Sequence, residues 1–232
     1  MKASRILSAV LVVLFPFAAM PAYATNEHEY AKGEYAIIHD GLAPNKQMSL
    51  AAHGDGDGGQ DNFHVWLMVE PAHRKITALD DISSSNNLDP GPDAYHAAWS
   101  ADSRHVAVSF RSDRHALQLN LYAIEKRRAR LISGPSLFRD VTSRDVGAQD
   151  DLRESDANIE WRGPGRFVLR ERRLFMTRDG GFARRLGLYG KETDRADDGR
   201  IFVEFSAEAD CMLVSGHRYR IVDLRVGKFR ER

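Results

Sequence analysis

Short runs in which apolar and polar residues alternate dominate the chain, separated by clusters of Gly, Asp, Asn and Ser. Examples are "EYAIIHD", "FHVWLMVE", "HVAVSF", "LQLNLYAI", "RFVLRE", "IFVEFS", "CMLVSG" and "RYRIVDL". A period of two, with β-branched and aromatic side chains on the apolar positions, predicts half-buried β-strands. No long, capped stretch of helical period follows the first 24 residues, so the predicted fold class is all-β.

The strands recur in groups. The clearest is Tyr95–Ser133: a strand ending at Trp99, the turn "SADS", the strand "RHVAVSF", a charged turn, "ALQLNLYAI", a basic turn and a last strand near "ARLIS". A second group, Ala157–Leu188, puts Trp161 in the place of Trp99 and "RGPG" in the place of the turn. Arg200–Glu231 has Phe205 before "SAEAD", and Glu34–Asp80 has "APNK" as its turn. The expected units therefore lie near 34–80, 95–133, 157–188 and 200–231. A sheet of four short strands has two faces and cannot bury both alone. Stacking sheets face to face covers them, and a radial arrangement of such sheets is a propeller. The aromatic before each turn is large enough to fill the gap between neighbouring sheets, and its burial contributes roughly 1.5–3 kcal/mol.

The stretch "AAWSADSRHVAVSF" followed by "LQLNLYAIEKRRARLIS" resembles the TolB-type β-propeller repeat, which carries a Trp-Ser-Pro-Asp-Gly-like turn between strands. Trp99, Ser100 and Asp102 match that turn, and Ala101 and Ser103 stand where the family has proline and glycine. The resemblance implies a β-propeller-like array of about four four-stranded antiparallel blades, closed as a small ring or left as an open, partial propeller. It also implies a protein-binding or scaffolding role. Two segments fall outside the repeat. "DISSSNNLDPGPDAY" (Asp81–Tyr95) is polar and rich in Pro and Gly, which predicts a loop. "GPSLFRDVTSRDVGAQDDLRESD" (Gly134–Asp156) is longer, and "SRDVGAQDDLRE" within it is compatible with a short surface helix. Both are expected to project from one end of the blades.

The N-terminal stretch changes the compartment. Lys2 and Arg5 precede the apolar run "ILSAVLVVLFPFAAM", and "AYA" (Ala22–Ala24) gives the small–x–small pattern of a cleavage site. Residues 1–24 read as a signal peptide, too short and too centrally broken by Pro16 for a transmembrane span. Residues 25–232 are then a single exported domain, periplasmic or secreted. Cys211 is the only cysteine, so no intrachain disulfide forms and packing must supply the stability. It sits in an apolar strand, the setting of a buried, inert thiol.

Net charge is zero, but its distribution is uneven. Thr25–Glu125 holds 15 acidic and 7 basic residues, whereas Lys126–Arg232 holds 18 acidic and 24 basic ones. The simplest expectation is mutual attraction of the halves, within one chain or between copies of a homo-oligomer. "EKRRAR" (Glu125–Arg130) and "HRYRIVDLRVGKFRER" (His217–Arg232) are the densest basic stretches and could meet an anionic partner. Nucleic acid is a poor match for an exported protein with an acidic half.

The loop "AAHGDGDGGQDNFH" (residues 51–64) is the candidate metal site, with His53, Asp55, Asp57, Asp61 and His64 as ligands. His53 and His64 are expected to face each other at the base of a hairpin. An EF-hand is excluded: Gly59 takes its third ligand position and Trp66 its twelfth, where a bidentate glutamate is required. A looser calcium site or a His/Asp transition-metal site stays open, beside the plain reading of a solvated hairpin tip. No Gly-x-Ser-x-Gly or His-Glu-x-x-His motif occurs, and the Asp80–Asp81, Asp150–Asp151 and Asp197–Asp198 pairs are expected in polar loops, as solvated turns. The expected function is that of a non-enzymatic binding or scaffold protein, without a cofactor, that engages a protein or an envelope component. The alternatives are a divalent-ion-binding module using the 53–64 loop and a hydrolase with its site at the mouth of the blades.

Overall fold

The structure is a computed structural model and describes residues 28, 30–31, 33–54, 63–83, 91–114, 116–146, 150–214 and 218–229. The expected signal peptide and the loop residues Asp55, Asp57 and Asp61 lie outside them. The fold is all-β. Thirteen strands form one mixed sheet in the order β11-β12-β10-β9-β7-β6-β5-β1-β2-β3-β4, with β13 added to β12 and β8 added to β7. The sheet does not close among the described residues, so of the two expected forms, closed ring or open array, the closed ring is not found.

Three antiparallel groups make up the sheet. The first is the meander β1 (Tyr35–Leu42), β2 (Met48–Gly54), β3 (Phe63–Val69) and β4 (Arg74–Ser83). The second is the meander β5 (His96–Trp99), β6 (His105–Asp113), β7 (Ala116–Glu125) and β8 (Arg128–Ser133). The third holds β9 (Asp151–Gly163), β10 (Arg166–Thr177), β11 (Gly190–Arg195), β12 (Ile201–Val214) and β13 (Arg218–Val226). Single parallel bridges join the groups, His39 with His96 and Ala116 with Ser155.

The expectation of about four four-stranded sheets therefore becomes two such sheets and one of five strands. β10 pairs with β12 without a break from Arg166↔Met212 to Thr177↔Ile201, so the two expected C-terminal sheets are one. "SAEAD" is the middle of β12 and not a turn: Phe205, Ala207, Ala209 and Cys211 point into the core, and the polar residues between them face the other way. The described residues of "SRDVGAQDDLRE" hold no helix, and its last four begin β9. The helix in that connection is α1 (Leu137–Thr142), and a second, α2 (Gly180–Arg185), takes up "GGFARR".

The second meander is buried on both faces. Val106, Val108, Phe110, Tyr122 and Ile124 meet Ile38, Leu50, Val65 and Leu67 of the first meander in one core. Ala107, Leu119 and Leu121 meet Ile159, Phe167, Leu169 and Phe205 of the third group in the other. The period of two places alternate residues of β6 and β7 in different cores. Phe138 of α1 plugs the second core, edge-on to Phe175, Phe182 and Phe205. Offset and edge-to-face rings of this kind add to plain burial.

An indole marks each junction. Trp99, at the end of β5, donates from Nε1 to the carbonyl of Gly41 in β1 at 3.1 Å. Trp161, near the end of β9, donates to the carbonyl of Ala98 in β5 at 2.8 Å.

The two outer faces of the stack are covered differently. On the first sheet, Tyr35 donates to Glu70 at 2.6 Å, Ser49 also donates to Glu70, and His73 Nδ1 lies 2.9 Å from it. This network covers Ser49, which is fully buried. The last sheet carries a ladder of ion pairs across its strands: Glu160–Arg170–Glu208–Arg225–Asp210, and beside it Glu154–Arg172–Glu204.

Candidate functional site

Strand direction sorts the connections into two ends. β1 and β5 run parallel, as do β7 and β9, and every other pairing is antiparallel. The hairpin turns β1–β2, β3–β4, β5–β6, β7–β8 and β9–β10 therefore emerge at one end. The connections β2–β3, β4–β5 and β8–β9, with α1, lie at the other. β4 and β8 thus end, and β5 and β9 begin, at the same end, in line with the expectation that segments 81–95 and 134–156 project together, although 81–83 and 151–156 are strand and not loop.

At the hairpin end each turn is held by its own residues. In β5–β6, Ser103 N donates to the Ser100 carbonyl at 2.9 Å, and Ser103 adopts φ 56°. Ser100 Oγ accepts from His105 N and donates to Asp102, which also accepts from Arg104 N. Burial raises the Asp102 carboxyl pKa, but these hydrogen bonds and the nearby His105 and Arg104 outweigh it and hold the group below the usual carboxylate range. In β1–β2, Lys46 takes φ 55° and its N–H meets the Ala43 carbonyl at 2.8 Å. Asn45 N donates to Ser103 Oγ at 3.1 Å, so these two turns touch. Between them lies a cavity of about 520 Å3 lined by Asn45, Gln47, Ser103, Arg104 and Arg127 among others.

The β7–β8 turn is the unusual one. Lys126 and Arg127 both have positive φ, 47° and 64°. A two-residue hairpin turn of this hand favours Asn-Gly, because a side chain in the left-handed region costs about 1–2 kcal/mol. Two long cations occupy it instead, both exposed.

Charge at this end is largely unneutralised. Lys46, Arg74, Arg104, Lys126, Arg127 and Arg166 are exposed on or beside five turns and hold no ion pair among the described residues. Of the carboxylates nearby, Glu70 is taken up by Ser49, Tyr35 and His73, and Asp102 by its own turn. Glu160 is shared by Arg162 and Arg170, and Glu125, at the base of the cationic tip, acts electrostatically on His105.

At the opposite end most arginines are paired, Arg184 of α2 being an exposed exception among the described residues. Arg139 pairs with Asp145, Arg144 with Asp150, Arg153 with Asp151, Arg178 with Asp198, Arg185 with Asp179 and Arg200 with both Asp151 and Asp198. All of these pairs lie within the C-terminal half. Among the described residues these ion pairs join residues of the same half, so they do not carry the attraction expected between the halves of one chain. Glu171 is buried near this end. It accepts from Ser136 Oγ and Phe138 N, both at 3.1 Å, and from Arg173 Nε at 2.6 Å, and so anchors the first turn of α1.

The sequence-predicted metal ligands are brought together only in part. His53 and His64 are register partners on β2 and β3, facing each other at the loop base as expected. His53 Nδ1 lies 2.7 Å from the Gly54 carbonyl, and the His64 ring stands edge-on to Trp66. Among the described residues no three His, Cys, Asp or Glu side chains gather as a metal site. Cys211 is buried, and burial, with Asp140 and Asp210 nearby, pushes its thiol up to about 12. That environment fits an inert thiol. Among the described residues no helix is long and apolar enough to cross a membrane. The unneutralised hairpin end was not legible as a site. Its cations are scattered over five turns between residues 46 and 166, and only "EKRRAR" gave a local signal.

The chain matches no protein-family model and no curated protein sequence.

Proposed function

We propose that the chain is an exported, non-enzymatic binding scaffold of TolB-like β-propeller type, an open stack of three blades that holds a component of the cell envelope at its hairpin end. The observation that carries this reading is the contrast between the two ends. Arginines at the loop end, Arg184 apart, are matched with carboxylates, whereas six cations on or beside the hairpin turns are exposed and hold no ion pair among the described residues. Charge left unneutralised on one face acts on what approaches it, since it steers and retains partners of opposite sign. The face-to-face sheets and the indole at each junction support the propeller-like reading, and the apolar run of residues 6–20 supports export. Sedimentation with an envelope fraction tests the reading. The folded protein is expected in the pellet at low salt and in the supernatant at 0.5 M salt (roughly a Debye length of 4 Å). A protein that stays in the supernatant at both salt concentrations overturns it.

One observation favours a second reading, divalent-ion binding at the 53–64 loop: the pairing of His53 with His64 at its base. Thermal shift with calcium and with zinc tests this, and an unchanged melting temperature with both removes it.

A further inference from the structure

Resting on that binding reading, we infer that the hairpin end docks on an anionic lipid surface, with the Lys126–Arg127 tip as its leading contact. Three features of the end fit a membrane better than other polyanions. The cations sit on the tips of separate turns spread across all three sheets, from Lys46 on the first to Arg166 on the third. They present an end of the stack to a flat surface, and they do not line a track that a single strand of nucleic acid could follow. The indoles Trp99 and Trp161, which could have stacked on bases, spend their N–H groups on Gly41 and Ala98 at the junctions. The tip itself keeps two cations at positive φ where Asn-Gly would fit without strain, so its backbone conformation does not explain the residues found there.

The face carries few acids to oppose such docking. Glu70 and Asp102 are engaged by their own neighbours, and Glu125 is flanked by Lys126, Arg127 and the exposed Arg128. Each Lys or Arg that reaches an anionic leaflet adds to the binding, and the attraction fades within a Debye length, so binding must weaken steeply with salt.

Vesicle sedimentation with the exported protein tests the inference, using protein-free vesicles of neutral lipid and vesicles containing a third phosphatidylglycerol. The probe variant is Lys126→Asn/Arg127→Gly, which removes two charges and supplies the residues this turn favours. The expected result is binding to the anionic vesicles at low salt, release at 0.5 M salt, little binding to neutral vesicles, and affinity roughly 30-fold lower in the variant. The variant's melting temperature is expected to be unchanged or higher, which separates lost charge from lost fold. Equal binding to both vesicle types, or a variant that binds like the parent, overturns the inference. Tighter binding to duplex DNA at equal phosphate concentration, with none to vesicles, overturns it in favour of nucleic acid. Binding to the envelope fraction without binding to protein-free vesicles sinks this inference alone and points to a protein partner. Failure in both assays sinks the binding reading itself.

Discussion

The indole of Trp161 donates its N–H to the carbonyl of Ala98, the residue just before Trp99, at 2.8 Å. Trp99 in turn reaches back to Gly41 in the preceding sheet. The same relationship is thus used twice, each time between a strand that ends at a hairpin turn and the first strand of the sheet before it. A half-buried indole fills the wedge between twisted sheets, and its one polar atom finds a backbone acceptor there. Each junction uses both properties beside a single parallel bridge, the apolar faces and a few hydrogen bonds such as Asn45 N to Ser103 Oγ and Ser155 Oγ to the Leu117 carbonyl.

Phenylalanine at either position keeps a ring and removes the donor. Trp99→Phe and Trp161→Phe are each expected to lower stability by about 1–3 kcal/mol, because a carbonyl loses its partner and the smaller ring fills the wedge less well. Urea denaturation measures this. A variant as stable as the parent would show the hydrogen bond to be dispensable.

Glu171 is the second point of vulnerability. Its carboxylate joins Ser136, the backbone of α1 and Arg173, whose guanidinium also lies over the Phe138 ring. Glu171→Ala leaves the largely buried Arg173 with only the more distant Asp145, at 3.6 Å, as a carboxylate partner and the first turn of α1 without its acceptor, and is expected to cost about 3–5 kcal/mol. Glu171→Gln retains an acceptor and should cost less. Equal losses for the two variants, measured by denaturant titration, would contradict this account.

Acid should destabilise the protein through its engaged carboxylates. At Glu70 burial raises the pKa, but hydrogen bonds from Ser49 and Tyr35 and the proximity of His73 bring it below the ordinary value. A carboxyl depressed in the folded state contributes stability that is fully present above its unfolded pKa of about 4.3. That contribution is lost as pH falls through the depressed native value. Asp102 and Glu208 are depressed too, the latter chiefly by its hydrogen bond from Arg170. Burial holds the His105 pKa below its ordinary value, so the melting temperature is expected to decline gently as pH falls below about 6.5 and to fall further below about pH 4, where the carboxylates are lost. Glu70→Gln should shallow that fall; an acid limb identical in parent and variant would exclude Glu70 as a contributor.

Cys211 should be silent in the folded protein. Its side chain is buried and its thiol is raised to about 12, so the thiolate is scarce near pH 8. A thiol-reactive dye is expected to label it only as the chain unfolds. Rapid labelling of the native protein at pH 8 would overturn this.

Much of the architecture was legible before any coordinates. The period of two found the core strands, and the bulky residue ahead of a Ser/Asp or Gly/Pro turn found both junction indoles. Sequence reasoning failed where a strand's outward residues are charged. β9 opens with "DLRESD", which looks helical or irregular because its polar face belongs to the ion-pair ladder and its inward positions include only Leu152 and small residues before Ile159. β12 looked like two strands because Ser206, Glu208 and Asp210 resemble a turn. Glu208 and Asp210 are held there by arginines of β10 and β13, contributed from 38 residues before and 15 residues after them. Such partners come from distant parts of the chain, and no local window contains them. The hairpin end was hidden for the same reason, since only strand direction collects its turns.

The covered outer faces decide where an array like this can grow. The ladder on β9–β13 meets a neighbour mainly with charge, Val222 and Val226 of β13 being its exposed apolar residues, and the Tyr35–Glu70 network shields part of the first sheet. Grafting an extra sheetlet onto either terminus would therefore mean dismantling a seal first. Splicing one in between β8 and β9 would not, because an interior newcomer needs only an indole facing backward and a free carbonyl facing forward.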